Sequence, residues 1–314
     1  MDPLTFDQIR VFLAVADRGS FSAAARHLRR AQSAVSYAIA NLERQLRVPL
    51  FDRSARRPVL TRAGQALLVD ARRVAQDADG MIARALGLAR GLEAELTLVV
   101  DAMYPLPRIV SALAEFRAAF PSVPPRLYVE SLGSVPKLVI DGVCVLGVTG
   151  WLPDGDHGLA GQALGSIKLV CVCAPTHPLV NIRGPIPTAT LRDHVQLVLT
   201  DRSPLTSGRD LFVLATQTWR LADLGAKHSM LLSGLGWGNM PKHIVEDDLA
   251  AGRLVAIRPA EHTPRGGDGL FDLPMTLVRR ADRALGPATR WIADHLAGAA
   301  GDAPPGTDRI LTQG

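Results

Sequence analysis

Small polar side chains recur along one side of a predicted helix near the N-terminus of the 314-residue chain. They are Gln32, Ser33, Ser36, Tyr37 and Asn41. The apolar residues Val35, Ile39, Leu42 and Leu46 follow helical spacing, so the opposite side should be buried. Glutamine, asparagine and serine donate to and accept from base edges, and a narrow face suits the DNA major groove. The predicted chemistry is base recognition, and a small three-helix bundle without a ligand is the alternative for residues 1–47.

A basic turn follows this helix. Arg53, Arg56 and Arg57 stand between two short apolar runs, residues 49–51 and 59–61. This pattern predicts a β-hairpin. Guanidinium groups on such a hairpin would contact the phosphate backbone, which supplies affinity and register but no sequence information. A hairpin beside a polar helix favours a DNA interface over a simple bundle.

The charge of the chain is concentrated in the same region. The net charge is +5 over 314 residues, and residues 1–64 contain eleven arginines and only five acidic residues. The shortage of compensating acids indicates a polyanionic partner.

Two shorter helices must position the polar helix. Apolar residues at helical spacing predict a first helix that ends near Gly19, and Ser20 can cap a second helix. In the second helix Ala24, Ala25 and Leu28 should pack inward, and the small alanine side chains let a neighbouring helix approach closely.

Residues 4–64 resemble the winged helix-turn-helix of LysR-type transcriptional regulators. The shared motifs are F-x-A-V-A-x-x-G-S-F-S-x-A-A-x-x-L, Q-S-A-V-S-x-x-I-x-x-L-E, L-F-x-R and L-T-x-A-G, at the family's spacing. The resemblance implies groove contacts from Gln32, Ser33, Ser36 and Tyr37, and backbone contacts from Arg53 and the other wing arginines. Ala31 stands where the family usually has Ser or Thr, and loss of that capping hydroxyl should cost about 1 kcal/mol.

A long helix is predicted from Thr61, its cap, to about Arg90. Apolar residues alternate in steps of four and three along it, which predicts a coiled-coil seam and a dimer. The seam comprises Leu67, Ala71, Val74, Ala78, Met81, Ala85 and Leu88. A dimer would present two recognition helices to two DNA half-sites, and the predicted homo-oligomer is a dimer of dimers.

From residue 92 onward strands and helices alternate, which predicts βα units and a mainly parallel sheet. The LysR resemblance, looser here, implies two α/β subdomains similar to periplasmic binding proteins. The predicted fold class is thus an N-terminal all-α winged helix-turn-helix and a C-terminal two-subdomain α/β region. The predicted boundaries are 1–64 for the DNA-binding domain, 61–91 for the linker helix, 92–165 with 266–298 for subdomain I, 166–265 for subdomain II and 299–314 for a disordered tail.

In such a fold a small-molecule effector binds between the subdomains, at strand ends. The candidate contacts are Ala102, Met103, Ser131, Ser134, Thr149, Trp151, Thr200, Asp201 and Trp237. Ala102 and Met103 lack hydroxyl groups and Asp201 would repel an anion, so a neutral or partly apolar effector is expected. Cys171 and Cys173 lie two apart in an apolar strand, which favours core packing over redox sensing.

Other classes of function find less support. No catalytic or phosphate-binding motif stands in a suitable context, so we expect no enzyme activity, no metal and no cofactor besides the effector. An architectural protein that binds DNA without an effector remains an alternative, and an enzyme that uses the C-terminal cleft is a weaker one. No apolar run is long enough to span a membrane and no secretion signal is evident, so a cytoplasmic location is expected. Double-stranded DNA and a second copy of the chain are the predicted partners, and RNA polymerase is a further candidate.

Overall fold

A computed structural model describes residues 4–52, 58–155, 157–209, 212–260 and 270–298. The chain divides into two compact units, with the division between Arg90 and Gly91. No helix in the described residues is long and apolar enough to cross a membrane.

The first unit is built from helices and one small hairpin. Its elements are α1 (Phe6–Arg18), α2 (Phe21–Leu28), α3 (Gln32–Leu46), β1 (Phe51–Asp52), β2 (Val59–Leu60) and α4 (Arg62–Ala89). The predicted helix limits are confirmed by local capping. Gly19 ends α1 in the left-handed conformation with φ of 61°, and the Ser20 side chain accepts a hydrogen bond from the main-chain nitrogen of Ala23.

Helix α3 begins without such a cap. Ala31 makes no side-chain hydrogen bond to the first turn, as predicted from its methyl side chain. The apolar side of α3 is buried, with Val35 and Ile39 fully inaccessible and Leu42 2% exposed. This side packs into the core that α1, α2 and the hairpin share.

The second unit contains one mixed sheet. Its strands are β3 (Leu96–Asp101), β4 (Pro125–Glu130), β5 (Leu146–Thr149), β6 (Leu159–Cys173), β7 (Gln196–Leu199), β8 (Thr218–Leu221), β9 (Trp237–Pro241), β10 (Val255–Ile257) and β11 (Leu270–Arg280). The order is β4-β3-β5-β11-β6-β9-β7-β8, and β10 pairs with β6. The sheet has two halves, and the strands within each half are parallel to one another. One half contains β3, β4 and β5, and the other contains β7, β8 and β9.

A long antiparallel ribbon joins the two halves. Strands β6 and β11 pair along ten registered positions, and each also pairs antiparallel with one neighbouring half. The expectation of a mainly parallel sheet is therefore wrong, because the chain crosses between the halves in extended strands rather than in helices. The predicted subdomain boundary at residues 165 and 166 lies inside β6.

Helices cover this sheet. They are α5 (Leu106–Ala119), α6 (Ser134–Ile140), α7 (Thr188–Leu191), α8 (Leu224–Leu232), α9 (Lys242–Ala250) and α10 (Pro287–Gly298). The last helix packs against α5 through Trp291, which contacts the rings of Phe116 and Phe120. Strands β3 and β5 in one half run opposite to β7 in the other half. Residues at the ends of β3 and β5 and residues of β7 line one pocket.

Candidate nucleic-acid interface and effector pocket

Helix α3 presents the predicted polar face to solvent. Gln32 and Ser33 are exposed in its first turn, and Ser36 and Asn41 are half-buried further along. Tyr37 lies between them and is 67% exposed, so an aromatic ring stands free on a helix whose other side is fully packed. This arrangement leaves donors, acceptors and one ring available to a partner.

Two arginines near this face are already engaged within the protein. Arg44 donates to the side-chain oxygen of Asn41, so the Asn41 amide group keeps its NH₂ donors for a base acceptor. Arg30 makes two hydrogen bonds of 2.7 Å to Asp7, and they hold the pKa of Asp7 below its ordinary value. Arg30 therefore ties the turn before α3 to the start of α1.

The predicted hairpin is present beside α3. Phe51 pairs with Leu60 and Asp52 with Val59 in antiparallel register. The ring of Phe51 packs edge-on against Phe12 and Phe21, each at 5.6 Å between ring centroids. The wing arginines Arg53, Arg56 and Arg57 lie outside the described residues, between the two strands.

One residue that positions the wing, Glu43, was not predicted from the sequence. The Glu43 carboxylate, on α3, accepts hydrogen bonds from the main-chain nitrogens of Leu50 at 2.8 Å and Phe51 at 3.1 Å. It fixes the first wing strand to the recognition helix. The sequence signal was an acidic residue in an otherwise basic segment.

The start of α4 is hydrogen-bonded to the segment that leads into the wing. Thr61 caps α4 by accepting from the nitrogen of Gly64 at 2.9 Å, and its hydroxyl donates to the oxygen of Pro49 at 2.6 Å. A Cβ atom at Gly64 would lie 2.1 Å from the oxygen of Leu50, so only glycine permits this approach.

The predicted seam of α4 has two parts that differ in solvent exposure. Leu67 and Ala71 pack on the core of the first unit, whereas Val74, Met81 and Leu88 are 42%, 68% and 48% exposed. Exposed apolar side chains of this size on a helix are typical of an interaction surface. Ile82 and Leu86, each next to a seam residue, are also exposed, so the apolar surface of α4 is wider than the seam.

The second unit contains an apolar pocket at the meeting of its strand ends. The cavity is about 250 Å³, close to the lower end of the range for small-molecule sites. Its apolar walls include Met103, Leu132, Trp151, Leu169, Phe212 and Leu273. Met103 and Trp151 are two of the nine predicted effector contacts.

The other predicted contacts lie elsewhere. Ser131, Ser134 and Asp201 line a polar groove of about 560 Å³, where the Ser134 hydroxyl donates to Asp201 at 3.4 Å. Thr200 and Asp201 line another polar pocket, of about 350 Å³. Ala102 packs against the core.

Two predictions are corrected. Thr149 is fully buried, and its hydroxyl donates to the oxygen of Trp151 at 2.7 Å, so it shapes the loop and does not face the pocket. Trp237 is also fully buried, in a separate cluster with Cys173 and Leu179. It starts a central strand, β9, and its side chain turns toward that cluster instead of the pocket.

Charged groups also line the apolar pocket. Burial raises the pKa of Asp101 to about 6, against the opposing effect of hydrogen bonds from the main-chain nitrogens of Met103 and Leu132. Lys227 on α8 is 2% exposed, and burial lowers its pKa to about 8. Neither group stood out in the sequence, because Asp101 ends an ordinary strand and Lys227 lies in the first turn of an ordinary helix.

The three cysteines are free and buried. Burial raises the pKa of the Cys144 and Cys173 thiols to about 11 and that of Cys171 to about 12. A thiol in this state reacts slowly with oxidants, because the thiolate is the nucleophile.

Comparisons with known proteins agree along the chain. Residues 6–65 match the family described as "Bacterial regulatory helix-turn-helix protein, lysR family", and residues 89–301 match "LysR substrate binding domain". The probable HTH-type transcriptional regulator YhaJ of Escherichia coli (strain K12) is 31% identical over 299 residues, which cover 92% of this chain and 94% of YhaJ. PunR, an HTH-type transcriptional regulator of the same strain, is 30% identical over 291 residues, or 92% and 91% of the two chains.

Solved structures show the same fold. A C206 mutant of OxyR from Corynebacterium glutamicum matches with a TM-score of 0.52 at 22% identity, over 95% of this chain and 93% of that one. CrgA, a LysR-type regulator from Neisseria meningitidis, matches with a TM-score of 0.50 at 24% identity, over 95% and 100%. With its helix-turn-helix unit followed by an effector-binding α/β unit, the chain belongs to the LysR family of transcriptional regulators.

Proposed function

We propose that the exposed face of α3 reads an operator sequence. Gln32, Ser33, Ser36 and Asn41 are the base-contacting residues, and Tyr37 packs against the groove. The observation that carries this proposal is the contrast between the two sides of α3. One side is polar and accessible, and the other contains Val35 and Ile39, which are fully buried. Arg53, Arg56 and Arg57 on the wing supply the contacts to phosphates.

The DNA-binding form is a homodimer that pairs into a tetramer. LysR-type regulators bind DNA as oligomers, and the exposed seam residues Val74, Met81 and Leu88 offer a surface for pairing two α4 helices. Paired α4 helices present two recognition helices to an inverted repeat. RNA polymerase is the proposed partner once the operator is occupied, and the cytoplasm is the proposed location.

A small molecule controls this binding from the second unit. It occupies the apolar pocket lined by Met103 and Trp151, at the meeting of the two halves of the sheet. Closure of the halves on the ligand would alter the arrangement of the linker helices, and with it the half-site spacing or the DNA bend. In this mechanism the chain acts without enzymatic turnover and needs no cofactor or metal.

A genomic-fragment binding selection tests the proposal. Purified full-length protein is mixed with sheared genomic DNA at physiological salt, and retained fragments are sequenced and footprinted. We expect a protected site that contains an inverted repeat. Retention without sequence preference would favour the architectural alternative, and absence of retention would contradict DNA binding altogether.

A further inference from the structure

The apolar pocket contains one buried cation, Lys227, for which the described residues provide no ion-pair partner. Lys227 is 2% exposed, and its ammonium group donates one hydrogen bond, of 2.7 Å, to the main-chain oxygen of Asn239. In the part of the chain that the structure describes, no carboxylate pairs with it. A buried ammonium needs an anionic partner to offset the loss of its hydration, and two of its three donors are still unused.

The fold makes specific room for this side chain. Helix α8 starts at Leu224, capped by Asp223, and packs over β7 and β9. On β9, Gly238 faces the lysine: a Cβ atom there would lie 3.2 Å from Cε of Lys227 and 2.6 Å from the oxygen of Leu197. A glycine at this point allows the lysine stem to cross the strand and deliver its ammonium group to the pocket wall.

Two other polar groups in the pocket, Asp101 and Gln196, are already occupied. The Asp101 carboxylate accepts from the nitrogens of Met103 at 2.9 Å and Leu132 at 3.2 Å. The Gln196 side chain accepts from Leu214 and donates to the oxygen of Phe212. They hold the surrounding loops in place and have little capacity left for a ligand.

Asn239 adds to the lysine end of the pocket. Its side-chain oxygen accepts from the Cys171 thiol at 2.8 Å, so its NH₂ group is the part left to donate. An anion at this end would meet the Lys227 ammonium and the Asn239 amide together, whereas the remaining walls are apolar.

We propose that the effector is a small apolar monocarboxylic acid whose carboxylate pairs with Lys227 and whose body fills the pocket beside Met103 and Trp151. This inference rests on the proposed function and names its ligand class. One cation balances one charge, and the buried Asp101 carboxyl disfavours a second negative group. The pKa of Lys227, about 8, keeps the ammonium form dominant at pH 7. The ligand is thus an anion with an apolar body, which differs from a neutral effector but agrees with the partly apolar effector that Ala102, Met103 and Asp201 also allowed.

Matched acids and amides test this assignment. Benzoate, phenylacetate and 4-methylpentanoate, each with its primary amide, are added to the full-length protein at pH 7, and the thermal midpoint and calorimetric Kd are measured. We expect at least one acid to raise the midpoint while its amide does not. Lys227→Met, nearly isosteric, should weaken binding of that acid about 10- to 100-fold, and Lys242→Met, at an exposed lysine, should leave the Kd unchanged.

Several outcomes would overturn the assignment. They are equal binding of acid and amide, unchanged acid binding by Lys227→Met, and no midpoint shift with any of the three acids. The acid and amide comparison on the unmodified protein keeps the test valid even where Lys227→Met fails to fold. Operator retention, measured on the same preparation, separates the two proposals: retention without acid binding contradicts only the ligand class, and acid binding without retention contradicts only the DNA-binding proposal.

Discussion

The carboxylate of Glu43 lies 2.8 Å from the main-chain nitrogen of Leu50, and this contact joins the recognition helix to the wing. The same oxygen also accepts from the nitrogen of Phe51, so one side chain satisfies the two main-chain donors that lead into β1. A charged acceptor strengthens such hydrogen bonds. The position of the wing relative to the recognition helix therefore depends on Glu43, which is not among the proposed DNA contacts.

Replacing Glu43 should disturb both stability and DNA binding. Glu43→Ala leaves two main-chain donors without their acceptor, which should lower the free energy of unfolding by about 1–3 kcal/mol. It should also weaken binding to specific and random duplexes alike, because the wing loses its fixed position. Denaturant unfolding and duplex titration measure the two effects. Asp70→Ala, at an exposed acid on α4, is the control, and an equal loss in that variant would contradict a specific role for Glu43.

The uncapped start of α3 offers a stabilising substitution. Ala31→Ser supplies the missing side-chain acceptor for the first turn and should raise the free energy of unfolding by about 1 kcal/mol. Ala40→Ser, at an exposed position in the middle of the same helix, provides no cap and should be neutral or slightly destabilising. Urea denaturation of the two variants distinguishes them. A gain in both, or in neither, would show that capping does not limit this helix.

Base contacts and phosphate contacts should respond differently to mutation. Ser36→Arg places a bulky charge on the polar face of α3 and should abolish the preference for the operator over random DNA. Arg56→Ala should weaken binding to every duplex and reduce the slope of log K against log salt by about 1. Fluorescence anisotropy at several salt concentrations measures both. Equal effects of the two substitutions on operator and random DNA would contradict the assigned roles.

The exposed part of the α4 seam should carry dimerisation. Met81→Lys puts a charge in the middle of the proposed helix pairing and should shift the protein toward monomer at micromolar concentration. Val69→Lys adds the same charge on the opposite side of the helix, where Val69 is 69% exposed, and should leave the dimer intact. Sedimentation analysis gives the mass of each. A Met81→Lys protein that remains dimeric would place the interface elsewhere.

Local signals explain what could be predicted from the sequence. Gly19, Ser20 and Thr61 cap or end their helices through contacts within a few residues, so the first unit could be predicted closely. The second unit depends on distant contacts. Helix α6 has little sequence signal, because it is only seven residues long and contains Pro136. Trp237 was expected near the effector, but it starts a buried strand within a glycine-rich stretch. Lys227 could not be recognised, since its burial depends on Gly238 and on packing across β7 and β9.

The buried ammonium of Lys227 should also leave a signature in stability against pH. Burial lowers its pKa in the folded protein from 10.5 to about 8. Between these two values the unfolded chain holds a proton that the folded protein has released, so the free energy of unfolding rises with pH in that window. Below about pH 8 both states are protonated, and the folded protein bears the full cost of the buried charge.

Denaturant unfolding at pH 7.5, 8.5 and 9.5 measures how the free energy of unfolding rises with pH, in the unmodified protein and in two variants. Lys227→Met has no ammonium to release and should lack the part of the increase that Lys227 contributes, whereas Lys242→Met should retain it. Cys171 on β6 is the titratable group whose charge acts on Lys227, and its pKa of about 12 keeps the thiol neutral throughout. The same slope in Lys227→Met and in the unmodified protein would mean that the lysine has access to water or to an anion, and would remove the physical reason for an anionic ligand.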